Sequence, residues 1–178
     1  MSRGIWASKA DILAASEEIA AKRAAPGYDL RRQREQVAKE KKHQAYVRLF
    51  NAEVLSFLDF HPRYAIFAEK LANKVTVFVT PIGSGTVART ERIPLPDRAR
   101  AAVIAWLRHQ VTNYDRMTIA RVKGRRREVR RELAGKCIKI LVPYRQGLDQ
   151  SANCPLYRLF TTDDLVVLGD QCKGFGGM

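Results

Sequence analysis

The chain has 178 residues, which is enough for one domain. Because 46% of the residues are hydrophobic, the chain can form a packed core, and a wholly disordered protein is excluded. Lys and Arg number 32 against 18 Asp and Glu, which gives a formal net charge of +14. Because so large an excess of one sign repels itself in the folded state, it indicates an anionic partner, with nucleic acid first and an acidic protein or a membrane surface second.

Two helices are predicted in the N-terminal third of the chain. The sequence Ser8-Lys9-Ala10-Asp11 has the pattern of a capping box, in which a hydroxyl and a carboxylate satisfy free amides of the first turn. The helix that follows is expected to stop at Pro26-Gly27. A second helix is expected from Asp29 to about Leu58. Its first half, residues 31–42, is strongly basic and lacks an apolar stripe, so only the second half is predicted to be anchored on a core.

Three further helices are predicted in the middle of the chain. The first, Arg63–Val79, has apolar residues three or four positions apart, but its tail Val75–Thr80 is also strand-like, so a change from helix to strand stays open there. The second helix starts near Pro94, and the third spans about Gly124 to Arg145. The predicted core face of the third helix consists of Val129, Leu133, Cys137, Ile140 and Leu141.

These elements predict a mainly α protein with a small helical core, a long basic N-terminal helix and a loosely structured C-terminal extension. The expected parts are the N-terminal helices with their basic arm (residues 1–60), the helical core (61–147) and the extension (148–178). The extension contains a short apolar run, Leu165–Leu168, and ends in a glycine-rich tail that is expected to be flexible.

The cysteines and the hydropathy restrict the location and the chemistry of the protein. Cys137, Cys154 and Cys172 are widely spaced and form no Cys-x-x-Cys pair, which argues against a disulfide framework or a zinc ribbon and favours a reducing cytoplasm. No apolar run approaches the roughly 20 residues that span a bilayer, and the first residues lack the apolar core of a signal peptide. The sequence therefore predicts a cytoplasmic protein with no cofactor, no metal site and no membrane partner.

The strongest functional pattern is the cluster of basic residues in Arg116–Arg131, which contains a single acid, Glu128. On a helix, Arg126 and Arg130 share one face, and a rigid basic face can follow phosphates and release their counterions. Because a solvated helix face normally mixes acids with bases, the clustering favours a nucleic-acid contact. The predicted contacts, including two that follow a glycine-rich loop, are Arg89, Arg92, Arg121, Lys123, Arg125, Arg126, Arg127, Arg130 and Arg131.

The glycine-rich loop is Pro81–Thr86, and Arg89 and Arg92 come directly after it. Glycines let backbone amides approach a phosphate, and arginines add bidentate donors. The Gly-Lys-Ser/Thr ending of a nucleotide-hydrolysing loop is missing, so nucleotide hydrolysis is not predicted. A phosphate site and a plain turn both stay open for this loop.

A second cluster of chemically capable side chains comprises Arg108, His109, Thr112, Tyr114 and Asp115. His109 can act as a base, Asp115 can orient it or hold a metal, and Tyr114 can donate a hydrogen bond. On a continuous helix, Arg108, Thr112 and Asp115 share a face, so the alternative is a structural network in which Asp115 pairs with Arg108. One histidine and one acid make no complete catalytic set, so the structural interpretation is favoured at this point.

The segment Arg98–Asp115 also carries a family resemblance. It reads as an Ala- and Val-rich helix ending in Arg-His-x-x-Thr-x-Tyr-Asp, and the Arg-rich stretch Arg121–Leu133 follows it. This pattern resembles a family of uncharacterised bacterial proteins, DUF2293, and the resemblance covers most of residues 2–147. Further similar stretches are Ser2–Trp6, His61-Pro62-Arg63 and Gly83–Arg89. The resemblance implies no activity, because none is assigned to the family.

The expected function is binding of DNA or RNA, mainly through phosphates, since no zinc finger, RNP pattern or clear helix-turn-helix indicates base readout. One alternative is a nuclease-like, nucleic-acid-processing enzyme that uses His109 and Asp115 with a second acid such as Glu69 or Glu91. Another alternative is a basic adaptor for an acidic protein partner. A cleft that joins His109 and Asp115 to the basic helix would favour the enzyme, and a contact face on the helix alone would favour the adaptor.

Overall fold

The computed structural model describes residues 7–151 and 153–160, and within these ranges the chain forms α-helices and no strand. The helices are α1 (Lys9–Ala24), α2 (Tyr28–Leu58), α3 (Ala65–Val79), α4 (Leu95–Val111) and α5 (Arg125–Arg145). Single 3₁₀ turns occur at Pro62–Tyr64, Val87–Arg89, Tyr114–Arg116 and Tyr157–Leu159. The predicted mainly α fold is confirmed, and every predicted helix is present. None of the helices in the described ranges is long and apolar enough to cross a membrane.

The chain divides into two compact units between Tyr46 and Val47. The first unit contains α1 and the N-terminal half of α2, and none of its described residues is buried. The predicted capping residue Ser8 begins α1, since its hydroxyl oxygen accepts a hydrogen bond from the Asp11 amide at 3.1 Å. Because no described residue of this unit is buried, the apolar residues of α1 are exposed, as are the basic residues of 31–42.

The second unit holds the hydrophobic core, to which the C-terminal half of α2, α3, α4 and α5 contribute. From α2 the buried residues are Phe50, Val54 and Leu58, which recur every four positions along one helix face. Helix α4 packs against both α3 and α5. The fully buried large side chains of the core include Tyr144, Phe50, Leu58, Leu71, Leu107, Leu141 and Leu156.

The tail of α3 is helical through Val79, so the alternative change to a strand at Val75–Thr80 is wrong. Val75, Thr76 and Val79 lie on one buried face at helical spacing. The Thr80 hydroxyl donates to the Thr76 carbonyl at 2.7 Å, and this carbonyl also accepts the Thr80 backbone amide at 3.0 Å at the helix end. Burial of this face overrides the local strand preference of β-branched residues.

An aromatic cluster joins the C-terminal extension to the core. Tyr144 at the end of α5 stacks on Phe67 with ring centroids 5.2 Å apart, and Phe67 meets Phe160 at 4.6 Å. Leu156 and Phe160 are buried. Thus residues 148–151 and 153–160 have little regular structure, and the last of them pack on the core. The predicted apolar run and glycine-rich tail after residue 160 lie outside the described residues.

The turn that follows α5 is held by the residues that precede α3. The His61 amide donates to the Tyr144 carbonyl at 3.0 Å. Arg63 donates through Nη1 to the Gly147 carbonyl at 2.7 Å, and its Nη2 pairs with the Asp149 carboxylate. These contacts join the start of α3 to the end of α5 and so fix where the C-terminal extension begins.

Candidate nucleic-acid interface

The basic cluster forms the N-terminal half of α5 and the segment that leads into it. The helix follows Gly124, which has a φ of +90°, a conformation that favours glycine. Val129 and Leu133 are buried, so the opposite face of this half of α5 points to solvent. The predicted contacts that are exposed here are Arg121, Lys123, Arg125, Arg126, Arg127, Arg130 and Arg131.

The arginines of α5 differ in their partners. Arg125 pairs through Nη1 with Glu128 at 3.2 Å, a contact between exposed side chains. Arg130 donates through Nε to the Tyr114 hydroxyl at 2.8 Å. The α5 arginines whose side chains make no hydrogen bond or ion pair with another described residue are Arg126, Arg127 and Arg131. These three guanidinium groups keep all their donors for a ligand.

The two arginines after the glycine-rich loop lie in different surroundings. Arg89 is half-buried and donates through Nε to the Thr80 carbonyl at 2.7 Å, whereas Arg92 is exposed. The Thr86 hydroxyl donates to the Val79 carbonyl at 2.5 Å. The loop therefore closes the C-terminal end of α3, where the helix dipole is negative and repels a phosphate. This geometry favours a turn that caps α3 over a phosphate site, and Arg89 hydrogen-bonds to the end of that helix.

The second cluster closes the C-terminal end of α4. The helix ends at Val111, and the Thr112 hydroxyl donates to the Arg108 carbonyl at 2.5 Å while it accepts from the Tyr114 amide at 3.3 Å. The shared helical face expected for Arg108, Thr112 and Asp115 is wrong, because the chain leaves the helix before it reaches Asp115.

The acid of this cluster pairs with the histidine and not with the arginine. His109 Nδ1 lies 2.7 Å from Asp115 Oδ1, so the expected pair of Asp115 with Arg108 is wrong. Arg108 lies instead over the ring of Tyr114, 4.7 Å from its centroid. Because an ionised carboxylate only accepts hydrogen bonds, the pairing places the His109 proton on Nδ1 and leaves Nε2 as the free acceptor.

Tyr114 connects the second cluster to the basic face of α5. Its ring meets the His109 ring edge-on, with centroids 5.2 Å apart. Its hydroxyl accepts from Arg130, and the same ring contacts the guanidinium group of Arg108. Tyr114 therefore joins the two clusters that the sequence presents separately, through Arg130 on the α5 side and His109 and Arg108 on the α4 side.

A pocket of about 480 Å³ opens beside the His109–Asp115 pair. Its walls come from the end of α4, the 3₁₀ turn that follows α4 and the C-terminal extension. Besides the pair, the charged residues that line it are Arg116 and Arg158. Arg158 donates through Nη2 to the Asn153 side-chain oxygen at 2.7 Å. Sequence reasoning missed Arg158, because it stands alone among apolar residues, and only the packing of the extension brings it to this pocket.

A family model described as "Uncharacterized conserved protein (DUF2293)" matches residues 59–145. The chain belongs to the DUF2293 family through these residues. The DUF2293 segment contains α3, α4 and α5, and with them His109, Asp115 and the α5 arginines. It includes neither Ser2–Trp6, on which the resemblance also drew, nor Arg158 of the pocket wall. No curated protein and no solved structure matches the chain.

Other candidates for chemistry in the DUF2293 segment do not reach the pocket. Glu69 and Glu91, considered as the second acid of a nuclease, do not line it. In the described ranges no group of three or more His, Cys, Asp or Glu side chains is placed to hold a metal ion. Burial raises the pKa of the Cys137 thiol and of the Tyr144 hydroxyl, so both stay protonated and are poor nucleophiles.

The variants His109→Ala and Asp115→Asn are each expected to lower the free energy of unfolding by less than about 1 kcal/mol. The reason is solvent exposure, since the two side chains are 41% and 60% exposed and an exposed pair contributes little. Urea or thermal unfolding of the purified variants measures the change. A loss of several kcal/mol in either variant would show that the pair is a main support of the fold.

Proposed function

We propose that the protein binds DNA or RNA mainly through the phosphate backbone, with the N-terminal half of α5 as the principal contact. The observation that carries the proposal is the charge at the start of this helix, where Arg125, Arg126 and Arg127 occupy the first turn with one acid, Glu128. The helix dipole is positive at this end, so cations there lower the stability of the helix unless an anion neutralises them. A bound phosphate accounts for a placement that folding alone disfavours.

The donors of the α5 arginines also fit a phosphate ligand. Phosphate oxygens accept paired hydrogen bonds from one guanidinium group, and such charge-assisted bonds are stronger than neutral ones. The side chains of Arg126, Arg127 and Arg131 make no hydrogen bond to another described residue. Tyr114 holds Arg130 through Nε, which leaves the two Nη groups of Arg130 for an anion. The principal contacts in the proposal are therefore Arg126, Arg127, Arg130 and Arg131, with Arg92, Arg121 and Lys123 as secondary ones.

The proposal includes similar affinity for all base sequences, because phosphate contacts carry no sequence information directly.

The proposal also includes a cytoplasmic location, which the free thiols of Cys137 and Cys154 support. A basic adaptor for an acidic protein is the competing function, and binding measurements separate the two.

A salt titration with a labelled DNA duplex and a labelled single-stranded RNA tests the proposal. The logarithm of the affinity is expected to fall linearly with the logarithm of salt concentration, by about 0.9 for each phosphate neutralised on B-DNA. Four contacts, from the four principal arginines, predict a slope of about −3.6. Fluorescence anisotropy measures it. An affinity that does not change with salt concentration would contradict the proposal. Tighter binding to a polyglutamate peptide than to either nucleic acid would also contradict it.

A further inference from the structure

We propose that the pocket beside His109 and Asp115 cleaves RNA by attack of a ribose 2′-hydroxyl on the adjacent phosphate. The inference rests on the proposed nucleic-acid binding and adds a substrate class and a reaction to it. It depends on a base, on positive charge around that base, and on a connection to the surface that holds the phosphate chain. The described residues supply all of these.

The base is His109. Its Nδ1 lies 2.7 Å from Asp115 Oδ1, so the carboxylate orients the ring and stabilises the imidazolium that forms when the ring takes up a proton. Nε2 is then the free acceptor of the ring. With a side chain that is 41% exposed at the edge of a pocket, His109 is within reach of a substrate hydroxyl.

The positive charge comes from Arg116 and Arg158, which line the same pocket as His109 and Asp115. A phosphodiester carries one negative charge, and attack by an oxygen atom places a second charge on the phosphoryl oxygens in the transition state. Two guanidinium groups that line the pocket beside that position stabilise the transition state more than the ground state, which is the requirement for catalysis.

The connection to the binding surface is Tyr114. Its ring contacts His109, with centroids 5.2 Å apart, and its hydroxyl accepts from Arg130 of α5 at 2.8 Å. A strand whose phosphates lie along the α5 arginines is thereby brought next to the base. In this arrangement Tyr114 is a positioning residue, because it holds Arg130 and borders His109 without itself exchanging a proton.

The proposed nucleophile is a hydroxyl of the substrate itself, because the described residues that line the pocket contain a single imidazole as its base. One imidazole can remove a proton from a hydroxyl that the substrate itself carries, and RNA presents such a hydroxyl beside every phosphate. The described ranges contain no group of three or more side chains placed to hold a metal ion next to the pair. Attack by the 2′-hydroxyl therefore fits these residues better than metal-assisted attack by water.

The reaction balances without any further reagent. His109 Nε2 takes the proton of the 2′-hydroxyl, the O2′–P bond forms, and the P–O5′ bond breaks. The departing 5′-oxygen takes a proton from water, and His109 returns its proton to the hydroxide that remains. The products are a 2′,3′-cyclic phosphate and a 5′-hydroxyl end.

The test uses the full chain and a single-stranded RNA of mixed sequence in buffer with EDTA, with products identified by mass spectrometry. Cleavage to cyclic-phosphate ends is expected for RNA and not for DNA of the same sequence. His109→Ala is expected to lower the rate by about 100-fold or more. RNA affinity of this variant, measured by anisotropy, should stay within about twofold of wild type, since the α5 arginines and not the imidazole make the principal phosphate contacts in the proposal. His43→Ala, which removes a histidine far from the pocket in sequence, is the matched control and should cleave like wild type.

The outcomes separate this inference from the binding proposal. RNA that is bound with the expected salt dependence but not cleaved overturns the reaction and leaves the binding proposal standing. Failure to bind RNA or DNA overturns both. Cleavage that survives in His109→Ala, that needs an added divalent cation, or that acts equally on DNA also overturns the reaction as written.

Discussion

Charge reversal of Arg127 and Arg131 to glutamate is expected to weaken binding to DNA or RNA by about 10- to 100-fold at low salt. Both arginines are exposed on α5, one turn apart, and neither side chain bonds to another described residue, so the change removes two proposed phosphate contacts and no side-chain bond of the fold. The slope of log affinity against log salt should also fall by about two. A glutamate in place of Arg127 lies in the first turn of α5, where the helix dipole favours an acid, so the helix is expected to remain formed.

The matched control is the reversal of Lys136 and Lys139, which are exposed on the C-terminal half of the same helix. It changes the net charge by the same amount, so any effect of total charge appears in both variants. A much smaller loss of affinity is expected for the control. Equal losses would show that affinity follows the net charge of the chain and not the cluster at the start of α5.

The helices could be predicted from the sequence because the burial pattern and the helix period agree. Phe50, Val54 and Leu58 on α2 are spaced to share one face, and they are buried. The tail of α3 stayed ambiguous because the local preference of Val75-Thr76-Val77 for a strand competes with the helical spacing of Val75 and Val79. Packing against the core decides between the two, and a short sequence window does not contain that information.

The partners of the charged side chains could not be predicted in the same way. Asp115 pairs with His109 because α4 ends at Val111, and that end depends on how Thr112 caps the helix. The sequence predicts Arg89 as a phosphate contact, yet in the structure its Nε donates to the Thr80 carbonyl at the end of α3, which the glycine-rich loop closes. Arg158 joins the pocket only because the C-terminal extension packs on the core. Each of these contacts depends on tertiary placement, whereas the exposure of the α5 arginines needed only the helix period.

Replacement of Gly147 by alanine is expected to lower the free energy of unfolding by about 3 kcal/mol. Gly147 has a φ of +67°, a left-handed conformation that costs a residue with a Cβ about 1–2 kcal/mol. A Cβ at this position would also lie 2.7 Å from Cγ of His61, so the imidazole or the turn must move. The turn carries the hydrogen bond from Arg63 to the Gly147 carbonyl, so the strain acts on the junction between α3 and α5. Urea unfolding of the purified variant measures the loss.

A second glycine provides the control for this experiment. Gly135 lies inside α5, and a Cβ built there meets nothing within 4 Å, so Gly135→Ala is expected to raise stability by up to about 1 kcal/mol. The two contributions at Gly147 separate in a double-mutant cycle with His61→Ala, since removal of the ring relieves the steric contact but not the backbone conformation. Part of the loss should therefore be recovered in that background. A loss that is identical with and without the imidazole would assign the whole effect to the backbone, and no loss at all would show that the turn adapts freely to a side chain at this position.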